Sequence, residues 1–189
     1  ISIAKSSTIM IKLHTVLNQI GKEKEANAKM SKWLTDNPSD AQARLYLASF
    51  YLDKKQYDAA IKEYKTIAQQ FPDHVITLNN LAWLYQQKND SRAGEYAERA
   101  FQNAPEAPAI LDTLGWILFE NGETTRAVTL LEKAATLAPN SGEIQYHLAA
   151  ALAKSGDKAK ARELLEKVLS SEDTFTQIEE AKSLLTQLK

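Results

Sequence analysis

Apolar residues recur at i, i+3, i+4 and i+7 along most of the chain, the spacing that lines one side of an α-helix. Between 108 and 141, Leu111, Leu114 and Leu118 form one such stripe. Ala127, Leu131 and Ala134 form a second, with Gly122 between the two and Pro139 after them. The same order returns at 41–74 with Leu47, Ala48, Tyr51, Ala60, Tyr64, Ile67 and Pro72, and at 75–107 with Leu78, Leu81, Ala82, Tyr85, Ala93, Ala97, Ala100 and Pro105. The 75–107 stretch is one residue short, near Asn89 and Asp90. Stretch 7–40 carries Met10, Leu13, His14, Leu17, Gly21, Ala26, Met30 and Pro38; stretch 142–171 carries Leu148, Ala149, Leu152, Gly156, Ala161, Leu165 and Val168. The prolines at 38, 72, 105 and 139 are therefore 34, 33 and 34 residues apart. Each stops one helix and sets the turn into the next.

The pattern predicts five helix pairs over 7–171 (7–40, 41–74, 75–107, 108–141 and 142–171), then a capping helix within 172–189. That makes eleven helices and no strand. In the tail, Ile178, Ala181, Leu184, Leu185 and Leu188 share one side, and Gln177, Glu180, Lys182 and Gln187 the other. Residues 1–6 lack the pattern and are expected to fray or to continue an upstream repeat.

Small residues at Ala48, Ala82, Gly115 and Ala149 let each first helix lie close to the second, opposite Ala60, Ala93, Ala127 and Ala161. Gly21, Gly122 and Gly156 fall in the short turn, where a left-handed backbone costs glycine least. Asn89 tolerates the same conformation. Lys55 does not, so a strained turn or a different one is expected there. A single pair cannot bury its apolar face, so neighbours must stack. The expected fold is all-α, a right-handed α-solenoid whose first helices line a concave inner side.

Counting within each repeat, positions two, five, nine, twelve and thirteen should face that groove. Leu45, Ser49, Asn79, Trp83, Gln86, Asp112, Trp116, Phe119 and Tyr146 are the resulting partner-binding candidates. Trp83 and Trp116 hold equivalent places in adjacent repeats. Aromatic rings give contact area at low entropic cost, and amides or carboxylates fix orientation. Two readings stand: the tryptophans pack between neighbouring first helices, or they stay partly exposed to grip a partner.

Charge adds little to this picture. The chain has 23 basic and 24 acidic residues and a net charge of −1, interspersed, so no basic stripe invites nucleic acid. The apolar runs are far shorter than the ~18 residues that span a bilayer. The absence of cysteine removes thiol chemistry, zinc–thiolate sites and disulfides. No phosphate loop, HExxH pair or GxSxG elbow occurs. Neither a metal, a cofactor nor an enzymatic role is expected.

The histidines are scattered: His14 at a small-residue position, His74 in a loop, His147 on a helix flank. Structural or solvated roles are expected for all three. Asp112, Glu120 and Glu143 are expected to form a solvated acidic lining rather than a catalytic pair. Asn89-Asp90-Ser91 fits the N-glycosylation pattern, a short match common by chance. The sequence opens at Ile1 and is read as part of something longer, so any targeting or lipid signal would lie upstream.

The 34-residue register and the residues that fill it resemble the tetratricopeptide repeat. Some tetratricopeptide domains clamp a carboxylate with Lys and Asn, then Asn, then Lys and Arg. The matching places here hold Leu45 and Ser49, Asn80, and Ala109 and Thr113. Only Asn80 fits, so Asn80 joins the candidates while a chaperone-tail clamp is not expected.

Three stretches, Leu78-Asn79-Asn80-Leu81-Ala82-Trp83-Leu84-Tyr85, Asp112-Thr113-Leu114-Gly115-Trp116-Ile117-Leu118 and Tyr146-His147-Leu148-Ala149, carry a narrower likeness. With Trp33 and the helix at 180–185, they resemble the C-terminal part of the tetratricopeptide lipoproteins of bacterial exosortase (PEP-CTERM) systems. That resemblance implies a protein–protein interaction scaffold in a bacterial periplasm or envelope, lipid-anchored at the outer membrane in the full-length protein and linked to exopolysaccharide production and export. The expected partner is a protein or peptide segment in the groove. The alternative is exopolysaccharide itself, its sugar rings on Trp83, Trp116, Phe119 or Tyr146 and its hydroxyls on Asn79, Gln86 and Asp112.

Overall fold

A computed structural model describes residues 6–170 and 174–188. Of the expected extension at 1–6, residues 1–5 lie outside the described residues, as do 171–173 and 189. Among the described residues eleven helices follow one another: α1 (Ser7–Gln19), α2 (Glu23–Asp36), α3 (Ala41–Asp53), α4 (Tyr57–Gln70), α5 (Val75–Gln87), α6 (Arg92–Asn103), α7 (Pro108–Glu120), α8 (Thr124–Leu137), α9 (Gly142–Ser155), α10 (Lys158–Ser170) and α11 (Ile178–Gln187). No strand occurs among the described residues. The fold class is all-α, built of consecutive helix pairs with a single helix after the last.

The pairs close as the sequence pattern requires. Ser6, Asp40 and Ser141 cap α1, α3 and α9 by accepting the backbone N–H three residues on, which satisfies a donor the helix leaves open. Pro108 opens α7, where its missing N–H costs nothing. The intra-pair turns are left-handed at Gly21, Gly122 and Gly156, and also at Asn89 (φ 51°) and Lys55 (φ 56°). Lys55 thus adopts the glycine-type turn and bears its strain, about 1–2 kcal/mol for a residue with a Cβ. Every small residue named for close approach is buried.

The chain divides into two compact bodies, Ile1–Leu81 and Ala82–Lys189. In the first, Met30, Trp33, Leu34, Ala43 and Leu47 form a buried cluster, with Met10, Ile11, Tyr46, Phe50 and Tyr51 packed against it. Asp40 gathers three helices there. Its Oδ2 accepts from the Ser7 hydroxyl and from Trp33 Nε1, both at 2.7 Å, while Oδ1 accepts from the Ala43 amide at 3.0 Å. Burial alone would raise the Asp40 pKa, but these hydrogen bonds outweigh it and hold the carboxyl below its usual value.

Two polar features stand where the fourth repeat is apolar or small. Arg44 Nη1 lies 2.5 Å from Glu63 Oε2, with side chains only 12% and 11% exposed. The equivalent residues in the fourth repeat are Leu111 and Leu130, both buried. His14 takes the place held elsewhere by Ala48, Ala82, Gly115 and Ala149 and is fully buried. Its Nε2 meets Asn27 Oδ1 at 3.0 Å, and its Nδ1 meets the Tyr46 hydroxyl at 2.9 Å and Asn18 Nδ2 at 3.2 Å. An amide donor at Nδ1 and a carbonyl acceptor at Nε2 assign a neutral ring protonated on Nε2.

Burial pushes the His14 pKa below its ordinary 6.5, although the Asn27 hydrogen bond and Glu23 pull the other way. The sign follows from linkage. Above pH 6.5 the ring is neutral whether folded or not; below it, the unfolded chain takes up a proton that the folded ring resists. Stability therefore falls as pH drops from 6.5 toward the depressed folded pKa. Thermal melts from about pH 7 to about pH 5 should show a shallower Tm decline in His14→Ala than in the wild type. Equal slopes would remove His14 as a source of acid sensitivity.

The second body holds α6–α11 and the end of α5. Tyr85 stacks on Tyr96 with centroids 5.4 Å apart, and the Arg92 guanidinium lies 4.1 Å from the Tyr85 ring centre. Arg92 also pairs with Asp90, whose pKa its side-chain and backbone hydrogen bonds pull down to about 2. The shortened turn near Asn89 and Asp90 is held by this pair. Between α7 and α8, a Cβ on Gly115 would lie 2.8 Å from Leu131 Cγ, so only glycine permits this approach. At the start of α9, a Cβ on Gly142 would lie 2.7 Å from the Phe175 ring. Gly142 thus makes room for the segment leading into α11, which packs on α10 and buries Ala181.

Candidate functional site

The aromatic candidates of the second body converge on facing turns of α7 and α9. The helical step places Asp112, Trp116 and Phe119 on one side of α7. Tyr146 and His147 answer from α9. Trp116 stacks on His147 (4.1 Å between centroids, 20° between planes) and on Phe119 (4.8 Å, 26°), with Tyr146 6.0 Å away. Trp116 and Phe119 are half-buried. Tyr146 is only 8% exposed, more enclosed than a groove position implies; burial raises its phenol pKa.

Beside these rings lies a concavity of about 600 Å³ within the second body. Trp116, Phe119 and Tyr146 floor it, Leu184 and Leu188 of the C-terminal segment form the opposite wall, and Lys154, Lys158 and Glu180 supply charge at its margins. Lys154 is held in place: its Nζ donates to the Phe119 carbonyl at 3.1 Å and sits 4.6 Å from that ring's centre.

A hydrogen-bond chain fixes the floor. His147 Nδ1 lies 2.8 Å from Asp112 Oδ1, and His147 Nε2 lies 3.3 Å from Gln177 Nε2, which also donates to Glu143 Oε1 at 3.4 Å. With an amide N–H facing Nε2, the proton sits on Nδ1 and goes to Asp112. An Asp–His pair of this kind orients an imidazole, but here Nε2 faces an amide and no hydroxyl or thiol nucleophile. The pair locks the ring on which Trp116 stacks.

This corrects one expectation and sharpens another. His147, expected in a structural or solvated role, takes the structural one: it is buried at 4% exposure, held between Asp112 and Gln177. Asp112, Glu120 and Glu143 do not form a common acidic lining; they turn to His147, Gln86 and Gln177 respectively. Sequence spacing held a signal for this. Asp112 and His147 are 35 residues apart, one repeat plus one residue, as are Phe119 and Lys154.

The remaining candidates have less free chemistry than their positions promise. In the first body, Ser49 Oγ lies 3.1 Å from the Tyr64 hydroxyl and Asn80 Nδ2 donates to it at 2.8 Å. Burial raises the Tyr64 pKa, and these two bonds partly offset the rise. Asn80, the one residue matching a carboxylate clamp, is thus engaged internally. Leu45 is half-buried, and Asn79 is half-buried with its Oδ1 enclosed and without a partner. In the second body, Gln86 donates to Glu120 at 2.8 Å, and Trp83 is half-buried. The structure therefore brings Asp112, Trp116, Phe119 and Tyr146 together in the second body, and Ser49 with Asn80 in the first.

A tetratricopeptide repeat family profile matches residues 19–81 and 118–188, and a second profile of the same description matches 56–108. The chain belongs to the tetratricopeptide repeat family. Solved tetratricopeptide structures share its fold. TTC0263, a thermophilic tetratricopeptide protein of Thermus thermophilus, is 21% identical with a TM-score of 0.68, over 96% of this chain and 100% of that one. MamA (41-end) from Desulfovibrio magneticus RS-1 is 15% identical with a TM-score of 0.75, over 96% and 99%. YrrB, described as a tetratricopeptide protein with an unusual peptide-binding site, is 17% identical with a TM-score of 0.71, over 96% and 91%. No curated protein matches the chain.

Tetratricopeptide repeats are protein–protein interaction scaffolds, which present residues from successive helices to a protein or peptide. No helix among the described residues is long and apolar enough to cross a membrane.

Proposed function

We propose that the aromatic concavity of the second body receives a protein or peptide segment, and that the chain acts as a non-catalytic scaffold in an envelope assembly. One observation carries this reading. Half-buried Trp116 and Phe119 are held rigidly by His147, Asp112 and Lys154 beside about 600 Å³ of open space. Preorganised aromatics of this kind are what binding hot spots are made of. The peptide-binding site of YrrB, a structural neighbour, supports the same use of the fold. The resemblance to exosortase-system lipoproteins supports an outer-membrane-anchored protein linked to exopolysaccharide export and PEP-CTERM sorting.

Direct glycan binding loses ground on geometry. Two of the three polar groups it needs, Asp112 and Gln86, bond to His147 and Glu120.

The test is affinity capture from the native envelope, followed by titration of the recovered segment against wild type, Trp116→Ala and Lys158→Glu. Trp116→Ala should weaken binding roughly 30-fold, the scale of a hot-spot truncation. Lys158→Glu leaves the floor intact and should change affinity in a salt-dependent way. Unchanged affinity in both variants would move the site elsewhere. A tryptophan fluorescence change on adding exopolysaccharide, absent with peptide, would favour the glycan.

A further inference from the structure

The first body carries an apolar face that the repeat register explains. Ile9, Leu13 and Val16 lie along one side of α1, with Ile20 just past its end, and are 47%, 37%, 51% and 61% exposed. Beside them is a concavity of about 240 Å³, whose walls include Met10 and Trp33. The register gives each residue its counterparts. Leu13 corresponds to Leu47, Leu81, Leu114 and Leu148, which are 3%, 0%, 0% and 4% exposed. Val16 corresponds to half-buried Phe50 and to Leu84, Ile117 and Ala151, all three buried. In the later repeats the first helix also meets the second helix of the preceding repeat, as α7 meets α6 and α9 meets α8. On α1 the same side stays one-third to one-half exposed.

We propose that the outer face of α1 seats the second helix of another tetratricopeptide repeat, supplied by the polypeptide ahead of Ile1. The start of α1 is built for such a junction. Ser6 caps it as Ser141 caps α9, with the side chain accepting the amide three residues on. Four residues separate each second helix from the next first helix, at 37–40, 71–74, 104–107 and 138–141. A helix arriving at α1 by the same connection places its apolar stripe along Leu13 and Val16. Head-to-tail stacking of a second copy lacks the complementary surface. The last helix of the second body, α11, exposes Glu179, Glu180, Lys182, Ser183 and Gln187. The inference is independent of the peptide site.

The test places a helix pair on the face. A duplicate of 108–140 joined ahead of Ser6 keeps the spacing of α8 to α9, with Ser6 standing where Ser141 stands. This extension should raise Tm by roughly 5 °C, as a nearest-neighbour interface does in a repeat array. Val16→Glu should leave the Tm of the 189-residue chain nearly unchanged and abolish most of the rise in the extended protein. An absent rise, or one indifferent to Val16→Glu, overturns the proposal. So does a concentration-dependent dimer of the unextended chain that Val16→Glu dissociates, because a second copy would then cover the face.

Discussion

Glu63→Ala should lower the unfolding free energy by about 3–5 kcal/mol, the cost of leaving a buried charge without its partner. Arg44 is the charge left behind. Its Nε is already enclosed without a hydrogen-bond partner, so the Glu63 contact is its main compensation. Arg44→Leu alone strands the carboxylate in the same way. Arg44→Leu with Glu63→Leu recreates the Leu111 and Leu130 arrangement of the fourth repeat and should restore most of the stability, or exceed it. A double-mutant cycle in urea reads the coupling. Single variants within about 1 kcal/mol of wild type would show that solvent reaches the pair and that its burial does not govern its energetics.

Leu131→Ala is the second large effect, in the other body. Leu131 is fully buried and touches the space where a side chain on Gly115 would stand. Its truncation should cost about 2–5 kcal/mol through lost burial and the cavity left behind. Gly115→Val alone should cost about 1–3 kcal/mol by overpacking. Combined, the valine enters the vacated volume, and the double variant should be more stable than the sum of the two losses by about 1 kcal/mol or more. Strict additivity would mean that the two helices separate to admit the new side chain, and that Gly115 does not set their distance.

The repeat register was legible because it is local. Leu, Ala, Gly and Pro at fixed offsets decide where each helix starts, what it buries and where it stops. The turn at Lys55 shows the limit of local reasoning. The residue disfavours φ above zero, yet adopts 56° because the helices on either side dictate the turn. The candidate site was legible in its aromatics and not in its polar groups. Asp112, Ser49, Asn80 and Gln86 read as groove-facing, but each finds an internal partner from another helix, and such pairing depends on three-dimensional distance. Arg44 and Glu63 left a partial trace: the register holds Met10, Leu78 and Leu111 at the first place and Tyr96, Leu130 and Leu164 at the second, but also Gln145 and Lys29. His14 left a similar trace by its size, at a position otherwise reserved for alanine or glycine. The division between Leu81 and Ala82 has no mark in the sequence, because it falls within α5.

Arrays of stacked hairpins ordinarily open from their ends, one hairpin at a time. The Asp40 carboxylate adds a tie between the first two hairpins described here. The hydroxyl that starts the first hairpin, the indole that closes it and the amide that begins the next all converge on this one side chain. Opening the first hairpin strips both donors from Asp40 Oδ2 while Oδ1 keeps its hold on α3, so that step forfeits two charge-assisted bonds beyond its apolar contacts.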